Sequence, residues 1–172
     1  MRFHLTRLFL LTLFAGILPT LAHSQPYVYS KDGSEVIDLM TGLVWRRCSE
    51  GTYWDSETCA GAAETFTYPQ ARQRAHDQAG MAGLAWRLPT VQELKSIVDM
   101  DANLDPANGI KLAAANLSVF PQTPADRFWT STPARQQQNH IAYVDFYDGL
   151  KAQKNGARKS RRLYLRLVRT LK

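Results

Sequence analysis

The chain has 172 residues, a formal net charge of +6, 45% hydrophobic and 21% charged residues. That balance is ordinary for a globular protein and speaks against a disordered or low-complexity chain. The length suits one domain around one core. Its two cysteines, Cys48 and Cys59, cannot by themselves complete a tetrahedral metal site.

Arg2 and Arg7 precede an apolar run from Leu8 to Leu18, and Ala22 and Ser24 are small residues before a cut. This is the pattern of a secretory signal peptide, residues 1–24, cleaved near Ser24 and leaving a domain over 25–172. An uncleaved anchor is the alternative, although the run is short for a membrane span. No transmembrane segment is expected in the mature chain. In an exported protein an isolated close cysteine pair reads as a disulfide. The remaining histidines of the mature chain, His76 and His140, lie far away in sequence, so no metal is expected.

Tyr27 to Asp38 reads as extended, with a turn at Asp32-Gly33. Thr41-Gly42 is a second turn and Leu43-Val44-Trp45 a buried strand. The loop between the cysteines is polar and carries Tyr53 and Trp54, which read as lids over a small core or as contact residues. A first helix is expected over 68–79, with Pro69 in its first turn, Ala71, Ala75 and Ala79 as a narrow packing face, and Gly80 as its end.

Trp86-Arg87-Leu88-Pro89-Thr90-Val91-Gln92-Glu93-Leu94 joins an extended run to a second helix, expected over 91–99. Pro89 keeps Leu88 extended. Thr90 and Glu93 have the spacing of a capping box. Val91, Leu94, Ile97 and Val98 share a helical face. Arg87, between two large apolar residues, is expected to enter the interior and to need a carboxylate or carbonyl partner. Asp99, Asp101, Asn103 and Asp105 alternate like the start of a calcium loop. Leu104 and Ile110 stand where the turn glycine and the bidentate glutamate belong, so a polar helix exit is the ordinary reading.

Residues 106–127 read as an irregular connection in which 116–120 form an apolar tether. Strands follow over 127–132 and 141–147. Asp148-Gly149 is a hairpin signal, with a return strand over 150–153. Asn155-Gly156 marks another turn. Leu163, Leu165 and Leu167 alternate with Tyr164, Arg166 and Val168 as a final strand. Together these elements are α+β: two helices packed on short antiparallel sheets, with one disulfide.

The charge is uneven. Residues 25–150 hold 10 Lys+Arg against 15 Asp+Glu, whereas 151–172 hold 9 Lys+Arg and no acid. Lys154, Arg158, Lys159, Arg161 and Arg162 fall in one loop and are candidate anion ligands. Guanidinium forks suit sulfate and phosphate. Tyr147, Tyr164 and Trp129 are candidate stacking faces for sugar rings. A solvated basic loop that only aids solubility is the competing reading.

The ordered set Asp38-x-x-Thr41-Gly42-Leu43-x-Trp45, the Cys48/Cys59 loop, the Trp86-Arg87-Leu88-Pro89-Thr90-x-x-Glu93-Leu94 corner, Phe128-Trp129-Thr130-Ser131-Thr132 and Leu165-Arg166-Leu167-Val168-Arg169 resembles the Lcl C-terminal domain family. The resemblance spans about residues 35–170. It implies an exported bacterial protein, periplasmic or secreted, with a single C-type-lectin-like domain related also to formylglycine-generating enzymes. It suggests sulfated polysaccharides as a class of partner. Leu167 stands where many relatives carry a cysteine, and the collagen-like repeats of the bacterial adhesin for whose end domain the family is named are absent.

No enzyme motif emerges. There is no Gly-x-Ser-x-Gly turn, His-Glu-x-x-His helix or phosphate-cradling loop. Once Cys48 and Cys59 pair, no thiol remains for chemistry of the formylglycine-generating kind. His76, His140 and the Asp145/Asp148 pair are weak acid/base candidates. The expectation is a non-enzymatic module without cofactor that binds an anionic glycan. A structural envelope protein that binds another protein is the alternative. Nucleic acid is not expected, because no recognition motif accompanies the charge.

Overall fold

The computed structural model describes residues 26–100, 112–147, 149 and 155–171. In chain order the elements are β1 (Tyr27–Tyr29), β2 (Glu35–Asp38), β3 (Leu43–Arg46), β4 (Thr52–Trp54), β5 (Cys59–Gly61), α1 (Tyr68–Ala82), α2 (Val91–Lys95), β6 (Arg127–Pro133), β7 (His140–Asp145), β8 (Ala157–Arg158) and β9 (Val168–Thr170). They form three antiparallel sheets among the described residues: β1-β2-β3-β9, β4-β5 and β6-β7-β8. The architecture is α+β, with the expected disulfide joining Cys48 and Cys59. No helix among the described residues is long and apolar enough to cross a membrane.

Two apolar layers form because the central strands are buried on both faces. Pleating sends Leu43 and Trp45 to one side and Val44 to the other. Phe128 and Trp129 of β6 divide in the same way, as do Val144 and Tyr143 of β7. One layer takes Leu94 from α2 and Ile97 from the turn after it, and the other takes Ala71 and Ala75 from α1. The alanine face lets α1 approach closely, as its spacing predicts.

The Trp86–Glu93 corner stitches these parts together. Arg87 N–H donates to Val168 O and Val168 N–H donates to Arg87 O, each at 3.0 Å, so the corner extends the first sheet beyond β9. Ser131 N–H donates to Pro89 O (2.7 Å) and Val91 N–H to Thr132 Oγ1 (3.1 Å), which ties the corner to β6. A register shift in β6 between Trp129 and Pro133 turns Ser131 toward the corner.

The capping box forms as the spacing predicts. Glu93 N–H donates to Thr90 Oγ1 (3.2 Å), and Thr90 N–H donates to Glu93 Oε2 (2.7 Å). The same carboxylate takes both terminal nitrogens of Arg87, at 2.8 and 2.7 Å. Arg87 therefore finds its carboxylate, but its side chain stays 40% exposed instead of entering the interior, because Glu93 points outward from the first turn. The Arg87 hydrogen bond holds the Glu93 carboxyl below its ordinary range. The stability it confers is thus present above the usual glutamate pKa and is lost as pH falls through the lowered one. Glu93→Gln is expected to cost about 1 kcal/mol, discounted for solvent screening of the partly exposed pair. It should also flatten the fall in urea midpoint between about pH 6 and pH 3 relative to the parent. Equal slopes for the two proteins would refute the link.

Several boundaries differ from expectation. The first helix runs through Gly80 to Ala82 and stops at Gly83, which adopts φ 61° and donates its N–H to Ala79 O. The second helix is only five residues, Val91–Lys95, because Val98 leaves it to bridge Ala115 and Asp99 N–H donates to Ala114 O (3.0 Å). Regular pairing at the C-terminal end is confined to Val168–Thr170, while Leu163 and Tyr164 make single bridges to Phe66 and Phe128. Strand β7 ends at Asp145, and Phe146 and Tyr147 form a turn. The expected return strand over 150–153 and most of the calcium-like run (101, 103 and 105) lie outside the described residues, as do residues 1–25.

Candidate functional site

The basic loop is fixed through its backbone and leaves its charges outside. Gly156 turns the chain at φ 63°, and a Cβ there would sit 2.5 Å from Ile141 O. The chain then enters β8, where Arg158 lies opposite His140 of β7. Lys159 N–H donates to Asn139 O (3.1 Å), Arg161 N–H to Arg158 O (2.9 Å), and Tyr68 N–H, at the start of α1, to Lys159 O (2.9 Å). Arg158, Lys159 and Arg161 are exposed, and none forms an ion pair with an acid among the described residues. Arg162 is exposed but engaged. Its Nε donates to Thr65 Oγ1 (3.3 Å), Nη1 to Gln70 Oε1 (3.2 Å) and Nη2 to Thr65 O. Those acceptors are neutral, so its charge remains uncompensated. Lys154 lies outside the described residues.

The expected stacking aromatics divide between core and surface. Trp129 is fully buried, and its Nε1–H donates to Phe66 O (2.7 Å), so no face is open to a sugar. Its burial follows from its position on β6 between the two apolar layers. Tyr164 packs on Phe128 with ring centroids 5.5 Å apart, on the flank of the core. Tyr147 is 49% exposed in the turn after β7. Of the acid/base candidates, Asp145 accepts from Arg127 Nε (3.2 Å), which raises the Arg127 pKa. The ring of His140 lies 3.1 Å from Gln138 O through Nδ1. His76 is highly exposed on α1, and Asp148 lies outside the described residues.

An aromatic does stand beside the basic loop, but it is Tyr68. The Lys159 ammonium lies 6.0 Å from its ring centre, at the limit of a cation–π contact. Tyr68, Arg72 and His76 recur four residues apart and share one side of α1. They face Trp86, Arg87, Leu88 and Ser131 across a groove of about 320 Å³. The i, i+4, i+8 spacing was visible in the sequence, but nothing local showed that this side of the helix would border the basic loop.

Residues 34–169 match the family model of the Lcl C-terminal domain. The chain belongs to that family. No curated protein and no solved structure matches it.

In this Lcl C-terminal domain the matched stretch begins just before β2 and ends inside β9. It takes in both apolar layers, the cross-linked loop, the corner and the basic loop. It also holds an ionic network that periodicity does not reveal. Glu50, buried, accepts from Arg74 Nε (2.6 Å) and lies 3.8 Å from Arg46, while Glu35 accepts from Arg169 Nη2 (2.6 Å). Arg46 and Arg169 also lie over the Trp86 ring, at 5.0 and 5.2 Å. Arg169 is therefore spent on Glu35, and Arg166 is buried. The nine cations of the last 22 residues do not make one surface.

Proposed function

We propose that the protein is an exported, non-enzymatic module that binds an anionic polysaccharide through the 158–162 loop. The observation that carries this is the rigid loop itself. Arg158, Lys159 and Arg161 project from a backbone hydrogen-bonded to β7 and α1, without acidic partners among the described residues. With the backbone already ordered, only the side-chain freedom of these cations is lost when they meet an anion. Guanidiniums grip sulfate and carboxylate in two-point fashion. The family resemblance supports the polymer class and a bacterial source, and the signal-like segment at 1–24 supports export to the periplasm or exterior.

Heparin chromatography with a salt gradient tests the reading. The protein is expected to elute above physiological ionic strength, about 0.15 M. The Arg158→Ala/Lys159→Ala/Arg161→Ala variant should elute well below it while keeping the parent melting temperature. Adding Arg162→Ala should lower retention further and also lower stability, since that side chain clasps Thr65 and Gln70. Elution of the parent below physiological salt, or an unchanged triple variant, would overturn the reading.

A protein partner in the envelope is the second reading. It is favoured by β1, which ends its sheet among the described residues and leaves Val28 46% exposed. Strand addition is the mode that such an edge supports. Recovery of one envelope protein on the parent, and its loss with a proline at Tyr29, whose N–H faces away from β2, would select this reading.

A further inference from the structure

We propose that the groove between α1 and the Trp86–Leu88 segment is a subsite for one anionic sugar residue, its ring against Tyr68 and its sulfate or carboxylate on Arg72. This rests on the anionic-polysaccharide reading and deepens it.

The floor of the groove is apolar. Ala75, Trp86 and Leu88 are all buried there. One wall is Tyr68, whose ring is held edge-on against Trp129 with centroids 5.6 Å apart and planes at 66°. Trp129 is itself fixed by its hydrogen bond to Phe66 O. A ring held in this way presents a face to a pyranose with little ordering cost. The groove's volume of about 320 Å³ is at the low end for small-molecule sites. That suits a single residue of a chain better than an extended segment.

The polar groups divide by availability. Arg87 is held by both carboxylate oxygens of Glu93, so its charge is balanced. Arg72 is exposed and has no acidic partner among the described residues, which leaves its planar fork for the anion. Ser131, on the opposite rim, donates its hydroxyl to Pro89 O at 3.3 Å and keeps lone pairs for a sugar hydroxyl. Lys159 borders both the groove and the basic loop, since its carbonyl accepts from Tyr68 N–H. A polymer with one residue in the groove therefore meets Lys159 next.

Trp86 supplies a reporter. Its indole N–H is buried and has no hydrogen-bond partner. In a 1H–15N titration of the full chain, a trisulfated heparin disaccharide is expected to shift the Trp86 indole resonance and to bind about tenfold more weakly to Arg72→Gln. Tyr68→Leu should weaken it similarly, with an unmoved indole resonance of Trp45, buried in the other apolar layer, showing that the core is kept. The desulfated disaccharide, which retains its carboxylate, separates the two anions. Binding of either disaccharide in an Arg72-dependent way supports the subsite and names the group it takes. Parent-like disaccharide binding by Arg72→Gln and Tyr68→Leu would overturn the subsite. Heparin retention lost only through Arg158, Lys159 and Arg161 would then leave the broader reading standing. Absence of any heparin retention by the parent would sink both.

Discussion

Replacing Arg166 with leucine is expected to destabilise the fold by about 3–5 kcal/mol, the range for removing one side of a buried charged contact. For a domain of this size that corresponds to a fall in Tm of about 6–20 °C. Arg166 is fully buried, and it has no carboxylate bonded to it among the described residues. Its guanidinium donates instead to Arg46 O (2.9 Å), Arg47 O, Ser49 Oγ (3.2 Å) and Thr123 Oγ1 (2.7 Å), and lies over Phe120 at 4.9 Å. Burial pushes its pKa down to about 9, and Glu50 opposes the shift only in part. Two effects compete in the leucine variant. Removing a desolvated charge is favourable, but the backbone carbonyls of Arg46 and Arg47 cannot be removed with it. Each buried acceptor left without a donor costs about 1–3 kcal/mol, and the shorter side chain leaves a void. The orphaned acceptors win. Arg166→Lys keeps a charge, but a single ammonium cannot span both carbonyls and both hydroxyls, so an intermediate loss of about 2 kcal/mol is expected. Urea midpoints within about 1 kcal/mol of the parent for Arg166→Leu would show that the guanidinium is not what holds the loop.

Arg166 also marks where reading the sequence stops working. The alternation Leu163, Leu165, Leu167 correctly identifies an apolar face, and all three lie in one layer. Alternation alone would leave the residues between them on the other face, toward solvent. Arg166 does not face solvent, because the cross-linked loop and Thr123 cover that side, and contacts 43 to 120 residues away leave no local trace. Trp129 fails for the same reason, since a strand buried on both faces has no outward side. The capping box at Thr90 and Glu93 was legible because every atom in it is within three residues. The end of α1 was not, because Gly80 and Gly83 look alike in sequence. A glycine inside a helix costs only about 1 kcal/mol, so the helix passes Gly80 and ends where Gly83 adopts a positive φ. In the candidate site, Arg158, Lys159 and Arg161 were visible as charge alone. Tyr68 and Arg72 join them through long-range ties, among them the hydrogen bond from Tyr68 N–H to Lys159 O and the Lys159 ammonium near the Tyr68 ring.

The Cys48→Ala/Cys59→Ala variant is expected to lose about 3 kcal/mol, or about 6–12 °C in Tm, yet to keep the parent's heparin retention. The bond closes a short loop, with a sequence separation of 11, and in the chain-entropy picture it acts mainly on the unfolded chain. The folded loop has other ties. Glu50 N–H donates to Leu165 O (2.9 Å), Glu64 N–H donates to Glu50 O (2.9 Å), and the Glu50 carboxylate is held by Arg74. The hairpin of β4 and β5 should therefore persist without the disulfide, with Gly51 still allowing the close approach of Glu64, where a Cβ would meet the Glu64 nitrogen at 2.5 Å. The hydrogen bonds that fix the basic loop run to Asn139, Phe66, Tyr68, Thr65 and Gln70, all outside the cross-linked segment. Stability and binding should then separate cleanly. Arg166 donates to the carbonyl of Arg47 and the hydroxyl of Ser49, which flank Cys48, so the two restraints share a loop. Combining the cysteine variant with Arg166→Leu should therefore cost less than the two losses added, by about 0.5–3 kcal/mol in a double-mutant cycle. Strict additivity in urea unfolding would mean that guanidinium and disulfide restrain the chain independently. A drop in heparin retention in the cysteine variant alone would mean that the loop reaches the binding surface after all.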